Sequence, residues 1–148
     1  MVLFSVRLLA IVFTALALVA PAAHLFELAN KIGMSKADYF VVQGIYRGWW
    51  LAGGFLLAAF VASVGLAVAT RDNAWACRMA ITAAILIVAN LTIFFVWTQP
   101  TNAATQNWTI QPESWEALRH QWEYSHAINA GVMFAAFVAS VLAALKSA

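Results

Sequence analysis

Four stretches of this chain, 2–29, 49–69, 74–97 and 125–145, are long apolar runs with few charges. At about 1.5 Å per helical residue, each is long enough to cross a hydrocarbon core of roughly 30 Å. Inside lipid the backbone must satisfy its own hydrogen bonds, so such runs fold as helices. The chain is therefore predicted to be an all-α integral membrane protein, with residues 1–148 forming one domain of four antiparallel spans whose principal partner is the lipid bilayer. Composition agrees: only 9% of residues are charged, against about a quarter in a soluble domain. The first run resembles a secretory signal, because Arg7 precedes it and "APAA" mimics a cleavage site. It is longer than a signal core, so it is read as a retained helix with Pro21 as a kink point.

The polar segments between spans are short on charge. The eight Lys and Arg residues form no cluster, and neutralising nucleic-acid phosphates needs several together, so no nucleic-acid partner is expected. Cys77 is the only cysteine, which excludes an internal disulfide and a Cys-x-x-Cys redox centre. Ser35 with Asp38 forms a capping-box pattern after Gly33, a C-cap stop. That predicts a helix from near Lys36 into the second span. Pro112 and Ser114 likewise predict one helix from there to Lys146. Helices two and four should then both protrude on the side that holds the first and third loops.

Chemistry concentrates at that protruding end. Trp115, Arg119, Trp122, His126, Asn129 and Met133 recur at spacings of 4, 3, 4, 3 and 4 and share one helix face. His24, Glu27 and Lys31 give a stripe at the matching end of helix one. Alternating span direction brings His24 and Glu27 to the depth of Glu123 and His126. Arg119 is expected to pair with Glu27 or Glu123, since a charge near lipid must find a partner. Glu116 is expected on the outer stripe, where its loss is silent.

Three readings compete for this set. One is a structural network of ion pairs. Another is a catalytic pocket in which His24 or His126 is a general base tuned by Glu27 or Glu123. The last is a single metal ion or a haem. His24-x-x-Glu27 and Glu123-x-x-His126 carry metal-ligand spacing on facing helices, and His24 with His126 could hold a haem. A full di-iron set is not expected, because helix three has no acid at this end. The loop "TQPTNAATQNWTIQPESW" is long enough to fold over the bundle as a lid. Trp97 and Trp49 suit an interfacial belt, whereas Trp115 and Trp122 suit the walls of an aromatic pocket.

The order "AHLFELANKIG", "DYFVVQGIYRGWW", "FFVWTQPTNAATQNW" and "WEALRHQWEYSHAINA" resembles a bacterial four-span membrane family of unknown function that includes the fungal anthrone oxygenases. The resemblance covers nearly the whole chain. Its most specific part is Pro100, Asn102 and Trp108, followed by Trp115, Leu118, Arg119, Trp122 and His126. It implies oxidation of an anthrone to an anthraquinone by molecular oxygen with no obvious cofactor. It implies a base (His126 or His24), a cation or donor for the substrate anion (Arg119 and Asn102) and a sheltered aromatic pocket. Tyr46, Arg47, Trp108, Trp115, Trp122 and Asn129 are the candidate substrate-binding residues. The bacterial branch implies an inner membrane; Lys and Arg divide evenly between its two sides, but five of the six acids lie on the protruding side, so both termini are expected to be cytoplasmic. Two alternatives stay open: a non-catalytic subunit of a larger membrane complex or a homo-oligomer, and a metal or haem binder. The enzymatic reading is a membrane oxidoreductase acting on a flat aromatic or quinone-like molecule.

Overall fold

The computed structural model describes residues 1–146. Among them every regular element is helical. Helix α1 (Val2–Lys31) runs unbroken through Pro21. Helix α2 (Lys36–Gln43) follows, then 3-10 turns at Gly44–Tyr46 and Trp49–Ala52, α3 (Gly53–Ala69), α4 (Ala74–Ile93), a π turn at Phe94–Thr98, α5 (Gln99–Ala104) and α6 (Trp115–Leu145). Four helical stretches, Val2–Lys31, Trp49–Ala69, Ala74–Ala104 and Trp115–Leu145, are long and apolar enough to cross a membrane. The protein is an all-α integral membrane four-helix bundle.

The spans form a ring in which α1 packs on α3 and α6, and α4 packs on the same two. Small residues allow the close approach. Ala10, Leu66, Ala80 and Ala143 form one buried cluster near the tight turn at 70–73. Ala17, Ala59, Ile87, Met133 and Ala136 form a second cluster nearer the protruding end. With no hydrophobic drive between helices in lipid, such close packing supplies much of the association. Asn73 caps α4 by accepting from the Ala76 N–H at 3.1 Å, and its amide donates to the Lys146 carbonyl at 2.7 Å, tying two helix ends together. Cys77 is a free thiol, half-buried in this region.

The protruding end differs in detail from the sequence expectation. A helix does start at Lys36, where the Ser35 hydroxyl accepts from the Asp38 N–H at 3.2 Å. It does not run on into the second span. The chain breaks at Gly48, whose φ of 90° is left-handed and strained for any residue with a Cβ. The extension of the second span is therefore a separate short helix with two 3-10 turns. The third span is the longer rod, because it passes through its π turn into α5. That turn, whose hydrogen bonds reach one residue further back, lets the helix continue at Pro100 without the usual clash. The third loop is correspondingly shorter, from Thr105 to Ser114.

Candidate functional site

At the protruding end the stripe on α1 meets the stripe on α6. The His24 and His126 rings lie 4.1 Å apart between centroids, within ordinary ring contact. Trp122 packs edge-on to both, at 4.7 Å from His24 and 4.3 Å from His126. Tyr46 and Trp49 close the other side of His24 at 4.5 and 5.5 Å. His24 is 4% exposed, yet its Nδ1 has no hydrogen-bond partner among the protein atoms. The nearest acid oxygen, Glu27 Oε2, is 3.8 Å away.

The cation that serves these acids is Lys31, not Arg119. Its Nζ lies 2.8 Å from Glu123 Oε1 and 3.9 Å from Glu27 Oε2, and donates to the Tyr46 oxygen at 2.9 Å. It also sits 4.5 Å from the Tyr46 and Trp122 ring centroids, which adds cation–π attraction in a desolvated setting. Tyr39 donates to the same Glu123 oxygen at 2.9 Å, and Tyr46 donates to Glu27. A run of contacts thus links Tyr39, Glu123, Lys31, Tyr46 and Glu27, ending beside His24.

Arg119 lies one turn further out. It donates to the Met34 carbonyl at 2.8 Å, pairs with Glu116 at 3.4 Å and stacks 4.6 Å from the Trp115 ring centre. The expected pairing of Arg119 with Glu27 or Glu123 does not form, because Lys31 already occupies the space beside the buried acids. Glu116, expected to be idle, is the partner of Arg119. Asn102 does not face the histidines: its Oδ1 accepts from the Trp122 indole at 2.9 Å and so fixes that ring. Asn129 lies deeper, and its carbonyl accepts from Asn90 at 3.3 Å. Arg47 is exposed beside the Gly48 break. Trp115 borders the aromatic cluster rather than the histidines, at 6.3 Å from Tyr39 and from Phe40.

Trp108 acts as the roof. Its ring packs against Tyr39 at 5.2 Å, Phe40 at 5.6 Å and Trp122 at 5.9 Å. Gln106, Asn107 and Trp108 have φ values of 47°, 56° and 63°, three successive left-handed residues without a glycine. Each such conformation costs roughly 1–3 kcal/mol and persists only where the surroundings impose it. Here the Thr105 hydroxyl accepts from the Trp108 N–H at 3.0 Å, and the buried indole fixes the rest.

The metal and haem alternatives find no matching geometry. Among the described residues no three His, Cys, Asp or Glu side chains converge on a common point. Glu27 and Glu123 instead converge on an ammonium, which takes the place a metal cation would need. A haem between His24 and His126 would require the macrocycle between rings that already touch.

Sequence reasoning missed Tyr39 and Trp49 as members of the site and gave Lys31 no role in it. Lys31 stood on the His24–Glu27 stripe, so its spacing was the available signal. Tyr39 and Trp49 gave none, because their contacts depend on how the short α2 and the Gly48 break fold back. Tyr39 and Tyr46 hold their phenolic protons more tightly than a free tyrosine. Burial is the main cause for both, followed by the charge of Glu123 for Tyr39 and the bond to Glu27 for Tyr46. The native state thus keeps protons that the unfolded chain releases near pH 10, roughly. Stability from these groups is complete below that pH and falls as pH rises above it. Thermal melts in detergent from neutral to alkaline pH should show this fall, and a Tyr39→Phe/Tyr46→Phe variant should show less of it.

Comparison of the chain with protein families, with characterised proteins and with solved structures gives no match.

Proposed function

We propose that the protein is a membrane oxidoreductase that oxidises a flat, weakly acidic aromatic substrate of the anthrone type with molecular oxygen. One observation carries the reading: two imidazoles in contact, one with an unpartnered nitrogen, lie inside a wall of Trp122, Tyr46 and Trp49 rings. A buried base surrounded by aromatic faces suits a planar carbon acid. The resemblance of the loop and of the α6 entry to the anthrone oxygenase-like family supports the same chemistry.

In this reading an imidazole nitrogen takes one proton from the substrate methylene, leaving an electron-rich enolate. The enolate reduces oxygen, and net turnover converts one anthrone and one O2 into one anthraquinone and one water. Lys31 supplies the positive charge near the developing anion, the role the sequence reading gave to Arg119. The wall rings touch one another, so a substrate ring must displace one of them. Trp49 suits that movement, since it is 38% exposed and follows the Gly48 break. The test is oxygen uptake by protein in lipid nanodiscs supplied with an anthrone. Uptake matched one-to-one by quinone supports the reading, and uptake no faster than in empty nanodiscs overturns it.

A second reading, an accessory subunit of a larger complex, is favoured by Gly53, Gly54 and Gly131. An added Cβ at any of them meets nothing within 4 Å, so a further helix could approach these faces. Fixed-stoichiometry co-purification from the native membrane would favour it over the oxidoreductase. We also place both termini on the cytoplasmic side of a bacterial inner membrane. Cysteines introduced at Asn107 and Arg71 should label from opposite sides, Asn107 from outside. Labelling of Arg71 from outside would reverse the orientation.

A further inference from the structure

The two carboxylates of the site differ in what holds them and in what they reach. Glu123 is fully buried, and one oxygen is held by both Lys31 and Tyr39. It sits in a fixed ion pair with no route to water. The Glu27 side chain is 36% exposed. Tyr46 tethers it, and Lys31 touches it only loosely at 3.9 Å. Its Oε2 is also the acid oxygen nearest the unpartnered Nδ1 of buried His24, at 3.8 Å. Of the two acids, only Glu27 both approaches the histidine pair and reaches the surface of the bundle at the protruding end.

We propose that Glu27 is the proton port of the site, carrying protons between the His24–His126 pair and external water. The proposal rests on the reading that the pair acts as a base. A base buried to 4% exposure must discharge each proton before it can act again, and it does not meet bulk water freely. The step is a plain transfer. An imidazolium N–H gives its proton to the Glu27 carboxylate, which leaves a neutral imidazole and a carboxylic acid. The acid then rotates outward and releases the proton to water. The gap must close by about an ångström to reach a charge-assisted hydrogen bond, within reach of a side-chain rotation on an exposed helix face. Lys31 and His24 flank Glu27 on α1. Tyr46 faces it from the first 3-10 turn, with Trp49 packed on the Tyr46 and His24 rings and with Glu123 and His126 on α6. Lys31 keeps its closer contact with Glu123, at 2.8 Å, when a proton moves onto Glu27.

The test is NMR of protein labelled with 15N-histidine in lipid bilayers, measuring magnetisation transfer from water to the imidazole N–H groups. The wild type should show transfer to His24. Glu27→Gln should slow it at least tenfold, and Glu27→Asp should fall between the two. Tyr46→Phe, which frees the Glu27 tether, should leave transfer intact or faster. A purely structural role for Glu27 would not order the variants in this way. If Glu27→Gln does not fold, slowed transfer in Glu27→Asp decides the matter. Equal transfer in the wild type and in the Glu27 variants, or none in the wild type, overturns the port. Anthrone turnover measured on the same samples separates the two ideas: normal transfer with no turnover sinks the oxygenase reading and leaves the port standing.

Discussion

Replacing Lys31 by methionine is expected to destabilise the protein by about 3–5 kcal/mol, the scale found when one partner of a buried ion pair is removed. Lys31 is 2% exposed and the Glu123 side chain fully buried. The substitution leaves Glu123 with Tyr39 as its one remaining donor. Its second oxygen already lacks a partner. The carboxylate must then either stay charged at great cost or take up a proton. A Lys31→Met/Glu123→Leu double variant should recover most of the loss, because a well-packed apolar pair of similar volume often matches a buried ion pair. Thermal melts of the three proteins in one detergent check this. Equal destabilisation by the single and double variants would mean that packing, and not charge pairing, sets the effect.

The second large effect concerns activity. Under the proposed oxidoreductase reading, His126→Gln should lower kcat for anthrone oxidation by about 10²–10⁴-fold, the range for loss of a general base. Glutamine keeps a polar side chain of similar reach but cannot accept and release a proton in turnover. His24→Gln should act in the same range. Both variants should retain the wild-type melting temperature within a few degrees, because neither ring accepts or donates a hydrogen bond among those that hold the Lys31 network. A full-rate His126→Gln enzyme would remove that residue from the chemistry.

The spans were legible because length and hydropathy suffice to define a helix in lipid. The start of α2 was legible for a local reason: the Ser35 hydroxyl donates to Asp38 at 2.6 Å and accepts from its N–H. The end of α1 was not, since Ile32 keeps right-handed geometry and Gly33 is not used as a left-handed stop. Gly48 was missed because "GIYRGWW" is compatible with a continuing helix until tertiary packing selects the break. Within the site, helical spacing gathers His24, Glu27, Trp122, Glu123 and His126, and the structure brings these side chains together. Spacing cannot choose between Lys31 and Arg119 as the cation. That choice depends on which side chain reaches between α1 and α6, and Arg119 starts one turn too far out. The roof was expected as a loop over the bundle, but its left-handed turn at Gln106, Asn107 and Trp108 carries no glycine signature to reveal it.

The contact between the two imidazoles makes one measurement more direct than any other: the double-variant cycle of His24→Gln and His126→Gln in anthrone turnover. In the proposed mechanism the rings, 4.1 Å apart, share one proton-handling role and should behave as a unit. Groups acting as a unit are grossly non-additive. The double variant should therefore be about as slow as the slower single variant. Rate losses that multiply would show two separate roles, and single variants as fast as the wild type would show that the pair is structural; either result contradicts a shared base at the centre of this site.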